Sequence, residues 1–116
     1  MKEVIDTVQY ASLLYDFYGA LLGESQNEVM TMYHEDNLSL AEIAEEMGTS
    51  RQAVHYTLKK AEAKLEEFED KLGLLEEYKK NQERAAAAIE IIESMINEEN
   101  RNRLLEVIEI IRSIVE

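Results

Sequence analysis

The chain has 116 residues, a formal net charge of -13 and no cysteine. Its length allows one small domain, or a small domain with a helical extension, and excludes two large independent domains. Without cysteine there is no disulfide framework, thiol nucleophile or cysteine-based zinc site.

The composition favours an all-α protein. There is no proline and there are only four glycines, and the dominant residues, Leu, Ile, Ala, Glu and Lys, are mostly strong helix formers. The N-terminal segment is too polar for a signal peptide, and no apolar run approaches the ~20 residues needed to span a bilayer. We therefore expect a soluble, cytoplasmic protein without membrane insertion.

The first predicted helix is amphipathic, has an aromatic-rich face and ends at Gly23. Its apolar residues recur at helical spacing: Ile5, Val8, Ala11, Leu14, Tyr15, Tyr18, Leu21 and Leu22. We expect the aromatic side chains of this segment to pack in a core or an interface rather than to stack on bases.

Two capping boxes predict the second and third helices. Ser25 stands three residues before Glu28, which predicts the start of the second helix. Ser39 and Glu42 repeat the spacing and predict a short third helix that stops at Gly48.

A long fourth helix follows, capped by Thr49 or Ser50 and uninterrupted until Gly73. Its apolar residues alternate spacings of four and three, as in a heptad repeat: Val54, Leu58, Ala61, Leu65, Phe68, Leu72 and Leu75. Such a stripe predicts either a helical seam between two copies or an intramolecular core that neighbouring helices cover.

Two more helices are predicted through residues 85–96 and 104–115, separated by the polar stretch 97–102. We expect them to form an antiparallel hairpin. We draw the domain boundary at Gly73, with a helix-turn-helix domain at 1–72 and a C-terminal helical extension at 73–116. The extension is expected to pack with the first part or with a dimer partner.

Residues 38–65, LSLAEIAEEMGTSRQAVHYTLKKAEAKL, have the anatomy of a helix-turn-helix: a short capped helix, a glycine turn and a longer second helix. Ala44 is small where the two helices cross, and Ile43 and Val54 fill the wedge between them. Gly48 permits a left-handed turn and Ser50 caps the second helix. The start of that second helix is then free to meet a ligand.

The candidate nucleic-acid-binding residues lie near this start: Arg51, Gln52, His55, Tyr56, Lys59 and Lys60. The first four offer donors and aromatic faces where a recognition helix meets base edges, and the two lysines suit phosphates. From Ser50 to Lys60 there is no acidic residue, so this helix is a positive stripe on a negative chain. The alternative is that these residues are solvated and the lysines pair with nearby glutamates.

The segment EIAEEMGTSRQAVHYTLKKAEAKL resembles region 4 of bacterial sigma factors. It resembles more closely the YlxM family of helix-turn-helix proteins, which share SRQAV followed by a lysine-rich turn and an acidic helix. The likeness also covers residues 24–38 and the segment LEEFEDKLGLLEEYKK. The resemblance implies a sigma region 4-like fold with a long recognition helix. It also implies a role beside the GTPase of the signal recognition particle (SRP), next to which such proteins are typically encoded.

These observations predict a non-enzymatic helix-turn-helix regulatory or accessory protein that binds DNA or SRP RNA as a homodimer. The alternative is an acidic adaptor that docks the SRP GTPase without specific DNA binding, which the net charge favours. We expect no cofactor and no metal, because His34 and His55 lack partners at ligand spacing. The paired glutamates are expected to be solvated helix faces rather than acid-base catalysts.

Overall fold

The computed structural model describes residues 7–116, which form six α-helices and contain no strand. The helices are α1 (Thr7–Tyr18), α2 (Glu24–Met30), α3 (Leu40–Met47), α4 (Arg51–Leu72), α5 (Leu74–Ser94) and α6 (Arg101–Val115). A 3-10 turn (Gly19–Leu21) follows α1, and a π-helical turn (Thr31–Glu35) follows α2. The predicted all-α helix-turn-helix fold is therefore confirmed, and Ile5, predicted to begin the first apolar stripe, lies outside the described residues.

The first helix ends earlier than predicted. The α-helical part of α1 stops at Tyr18, five residues before Gly23, and the 3-10 turn carries the chain on to Leu21. A Cβ atom on Gly19 would lie 2.7 Å from Cε1 of Tyr15, so the absence of a side chain lets this ring pack over the turn. Leu22 then enters the core, where it is 8% exposed.

The predicted capping box at Ser25 is wrong. Helix α2 begins at Glu24, its N-cap is Gly23 in extended backbone, and no side chain caps it. The helix then widens into the π-helical turn, in which Asp36 N–H donates to the carbonyl of Thr31 at 3.1 Å. The Thr31 hydroxyl donates to the Asn27 carbonyl at 2.9 Å and so competes for an acceptor of the regular helix.

The hydrophobic core of residues 7–75 is built around α4, which contacts α1, α2 and α3. Five residues of the predicted heptad stripe are buried there: Val54, Leu58, Ala61 and Leu65 on α4, and Leu75 at the start of α5. Leu72 is 54% exposed, since the stripe leaves the core near the end of the helix. The intramolecular interpretation therefore accounts for the first part of the stripe.

Tyr18 ties the end of α1 to the turn between α4 and α5. Its hydroxyl donates to Oε1 of Glu69 at 2.5 Å and accepts from the Leu74 N–H at 3.0 Å. The same Glu69 oxygen accepts from the Leu75 N–H at 3.0 Å. Gly73 adopts the left-handed conformation between the helices, with φ at 63°, as its predicted role as a helix break requires.

Residues 76–116 form a second compact unit that contains most of α5 and all of α6. The side-chain amide of Gln82 donates to the carbonyl of Val115, which pairs the middle of α5 with the end of α6. In the connecting turn, the Asn97 side chain accepts from the N–H groups of Glu99 and Asn100 at 2.9 and 3.0 Å. The predicted antiparallel hairpin is thus present.

The hairpin differs from the prediction in its bounds, because α5 begins at Leu74 rather than near Ala85 and ends at Ser94 rather than at Ile96. Within the described residues, no helix combines the length and apolar character that crossing a membrane requires.

Candidate nucleic-acid interface

The turn between α3 and α4 is set by Gly48, whose φ of 65° and ψ of 39° are left-handed. The following N–H, of Thr49, donates to the Ala44 carbonyl at 2.9 Å and closes the end of α3. Ser50 then caps α4, because its Oγ accepts from the Ala53 N–H at 3.1 Å. Of the two predicted caps, Ser50 is the one that the chain uses.

The wedge between α3 and α4 is packed as predicted. Ile43 is 0% exposed, Val54 is 1% exposed, and Ala44 is buried at 6% where the helices cross. The capping box of α3 is also present, since Ser39 Oγ accepts from the Glu42 N–H and Glu42 Oε1 accepts from the Ser39 N–H. Tight packing and a capped start hold α4 in one orientation relative to α3, which a reading helix needs.

All six predicted site residues are exposed on the first three turns of α4: Arg51, Gln52, His55, Tyr56, Lys59 and Lys60. By helical position Gln52, Tyr56, Lys59 and Lys60 lie on the side opposite Val54 and Leu58, which face the core, whereas Arg51 and His55 lie at the edge of that buried stripe. Tyr56 is 62% exposed, although it is a large apolar ring. The fold therefore brings the six together on one accessible surface; their contact with a ligand stays a prediction.

The two lysines of this surface already have neighbours. Lys59 Nζ lies 3.4 Å from Oε1 of Glu62, so the predicted alternative of a glutamate partner holds for this lysine. Lys60 Nζ lies 5.5 Å from the centre of the Tyr56 ring, in cation-π range. Lys60 and Tyr56 therefore form one amphipathic patch with a ring and a positive charge.

The exposed side of α4 changes sign after Lys60. Four carboxylates follow at positions that continue the same helical face: Glu62, Glu66, Glu67 and Asp70. The net charge of the chain does not reveal this arrangement. Plotting the same charges by helical position over residues 61–70 would have found it.

His34 was expected to be an ordinary residue, but its surroundings are specific. It lies on the π-helical turn with its Nε2 atom buried and without a hydrogen-bond partner, and its ring stacks on Tyr15. Burial lowers the pKa of His34 below its usual 6.5, while the carboxylates of Glu62 and Asp16 oppose the shift. Among the described residues, no three histidine or carboxylate side chains cluster as a metal site would require.

The chain is similar in sequence to a family of helix-turn-helix proteins. The family model "UPF0122: Putative helix-turn-helix protein, YlxM / p13 like" matches residues 5–108. A UPF0122 protein of Bacillus thuringiensis (strain Al Hakam) is 46% identical over 98 residues, covering 83% of this chain and 88% of the relative. A UPF0122 protein of Halalkalibacterium halodurans is 41% identical over 103 residues, covering 89% and 94%. One of Thermoanaerobacter sp. (strain X514) is 41% identical over 104 residues, covering 90% and 89%.

Proposed function

Because the chain belongs to the UPF0122 family of YlxM/p13-like helix-turn-helix proteins, we propose that it is a non-enzymatic regulatory or accessory protein that binds duplex DNA. The observation that carries this proposal is the exposed surface on the first three turns of α4, where Arg51, Gln52 and Tyr56 stand beside two lysines. A helix fixed by a second, crossing helix is the arrangement that enters a major groove.

The roles divide along the surface. Arg51 and Gln52, in the first turn, supply hydrogen-bond donors for base edges, and His55 adds a ring nitrogen one turn later. Lys60 supplies a phosphate contact, and its ammonium group lies over the neighbouring Tyr56 ring. Lys59 reaches a phosphate only when it leaves Glu62.

We propose that two copies act together, since one copy offers few cations to a polyanion. Ile110 and Ile114 on α6 are 53% and 74% exposed, which supports a further contact by this helix. Sedimentation of the wild type should give a dimer, and Ile114→Asp should weaken it. Leu105→Asp, on the opposite side of α6 and 43% exposed in the wild type, is the control. A monomer at high concentration contradicts the proposal.

The family resemblance implies a role in the SRP pathway, with SRP RNA as the second candidate nucleic acid. The cysteine-free composition supports the cytoplasm as the proposed location. A second candidate function has its own support in the net charge of -13 and in the exposed Glu45 and Glu46 of α3. In that case the protein is an acidic adaptor that docks the SRP GTPase. A pull-down with the purified GTPase in the presence of nuclease separates the two, because only a protein contact survives the nuclease.

The main test is equilibrium binding to genomic DNA fragments and to SRP RNA across a salt series. Lys60→Ala should weaken all sequences and reduce the slope of log affinity against log salt by about one. Gln52→Ala should instead alter sequence preference. Lys80→Ala, an exposed lysine of α5, is the matched control and should leave the slope unchanged. Unchanged binding in Arg51, Gln52, Lys59 and Lys60 variants alike would remove the proposal.

A further inference from the structure

The exposed face of α4 has two halves of opposite charge. Arg51, Lys59 and Lys60 lie on the first half, and no acidic residue lies among them. The second half carries the carboxylates of Glu62, Glu66, Glu67 and Asp70, which outnumber its two exposed ammonium groups, those of Lys64 and Lys71. A helix face of this kind attracts a polyanion at one end and repels it at the other.

An ion pair lies at the boundary between the positive and negative halves. Glu62 is the partner of Lys59 at 3.4 Å, and its side chain is only 22% exposed, so it is screened less than a fully solvated carboxylate. A phosphate that binds Lys59 must displace this carboxylate or approach it closely. Glu62 therefore opposes the use of Lys59 on an arbitrary phosphate backbone.

The outer carboxylates lie where a longer contact would form. Glu67 is 64% exposed and pairs with Lys71 at 3.4 Å, and Asp70 is exposed one turn further on. At 1.5 Å per residue, Asp70 stands about 15 Å along the helix axis from Lys60. A helix lying lengthwise in a groove about 12 Å wide would bring these carboxylates against the phosphates. Only an approach by the N-terminal end of α4 avoids them.

We propose that Glu62, Glu67 and Asp70 are specificity determinants. They confine nucleic-acid contact to residues 51–60 and lower the affinity for nonspecific duplex DNA. This inference rests on the proposed function, because it concerns how α4 meets DNA. Where the electrostatic attraction is small, base contacts at Arg51 and Gln52 decide which sites are occupied.

The test is the triple variant Glu62→Gln, Glu67→Gln, Asp70→Asn, measured against random-sequence duplex DNA over a salt series. Each negative charge at about 10 Å from a phosphate lowers the binding affinity on the order of twofold. Removing three of them should therefore make the triple variant bind about tenfold more tightly. Release of Lys59 should also steepen the salt dependence by about one unit of slope.

The matched control is Glu24→Gln, Glu28→Gln, Asp36→Asn, which removes the same number of negative charges from residues 7–75. Glu24 and Glu28 lie on the side of α2 opposite Val29 and Met30, which are buried in the core that α4 shares. Local repulsion predicts a much smaller gain for this control than for the α4 variant. Circular dichroism of both variants checks that the helices are retained.

The outcomes separate the two proposals. Equal gains in the two triple variants would show that net charge alone sets the affinity and would overturn the inference. Wild-type binding that the α4 variant leaves unchanged would also overturn it, while the proposed function would stand. An absence of binding by the wild type and by both variants would instead contradict the proposed function, and the inference with it.

Discussion

At the scale of single residues, Tyr18 forms hydrogen bonds to groups more than 50 residues later in the chain. The sequence predicted it as one apolar position of a stripe, and it is indeed buried, at 1% exposure. Its hydroxyl also joins Glu69, which lies 51 residues later, to the backbone of the turn at Gly73. A partner so distant in the chain leaves no local sequence signal, so only the burial of Tyr18 could be predicted.

Tyr18→Phe should lower the free energy of unfolding by about 1–3 kcal/mol, because the Leu74 N–H loses its acceptor and Glu69 loses a donor while both stay partly buried. Urea denaturation followed by circular dichroism measures the change. Tyr56→Phe is the control, since its ring is 62% exposed and its loss of a hydroxyl should change the stability little. Equal stability of Tyr18→Phe and the wild type would show that the hydroxyl contributes nothing net.

The partly buried His34 should make the free energy of unfolding depend on pH. Burial lowers its pKa in the folded protein below the 6.5 of the unfolded chain, so the unfolded state takes up the proton first as the pH falls. The neutral His34 side chain therefore contributes its full stabilisation above about pH 6.5, and this stabilisation is lost as the pH drops below that value. The unfolding free energy of the wild type should therefore fall between about pH 7.5 and 5.5 more steeply than that of His34→Gln. Parallel curves for the two proteins would contradict the assignment.

At the scale of the elements, two serines with the same spacing to a glutamate behave differently. Ser39 and Glu42 form the predicted capping box, whereas Ser25 lies inside α2 and caps nothing. The difference arises outside the motif, because the buried Leu22 and the extended Gly23 start α2 two residues too early for Ser25 to serve as its cap. Local signals therefore predicted α3 and the turn at Gly48 well, and the start of α2 poorly.

The pair gives a matched test. Ser39→Ala should cost about 0.5–2 kcal/mol of stability, since the Glu42 N–H loses its cap. Ser25→Ala, at an exposed position without a capping bond, should stay within about 0.5 kcal/mol of the wild type. The midpoints of urea denaturation compare the three proteins directly. A larger loss for Ser25→Ala than for Ser39→Ala would reverse the structural assignment.

Helix α5 shows a second limit of pattern recognition. Residues 76–84 are polar and lack the apolar periodicity of an amphipathic helix, so the predicted helix began only near Ala85. No glycine or proline interrupts residues 74–94, and the Glu76 and Lys80 side chains pair at 3.8 Å along the helix. The helix propensity of these residues, and not an apolar stripe, was the signal that could have predicted a helix here.

At the scale of the whole molecule, the candidate site was easier to predict than its electrostatics. The six residues on α4 follow from a local motif, and all six are exposed. The carboxylates that share their face are found when residues 61–70 are plotted by helical position, and the structure identifies Glu62 as the partner of Lys59. A net charge of -13 is therefore less informative than the position at which the sign changes on one helix.

The boundary between the two compact units can be tested by truncation. The sequence predicts it near Gly73, and this boundary stays a prediction; Leu75 is 2% exposed in the first core, and the first compact unit extends to that residue. A chain that ends at Leu72 loses this side chain together with the backbone donors to Tyr18 and Glu69. A chain that ends at Lys80 keeps them. We expect the longer chain to be more stable by about 2–4 kcal/mol in urea denaturation. Equal stabilities would place the boundary at Gly73, because residues 74 and 75 would then contribute nothing to the helix-turn-helix domain.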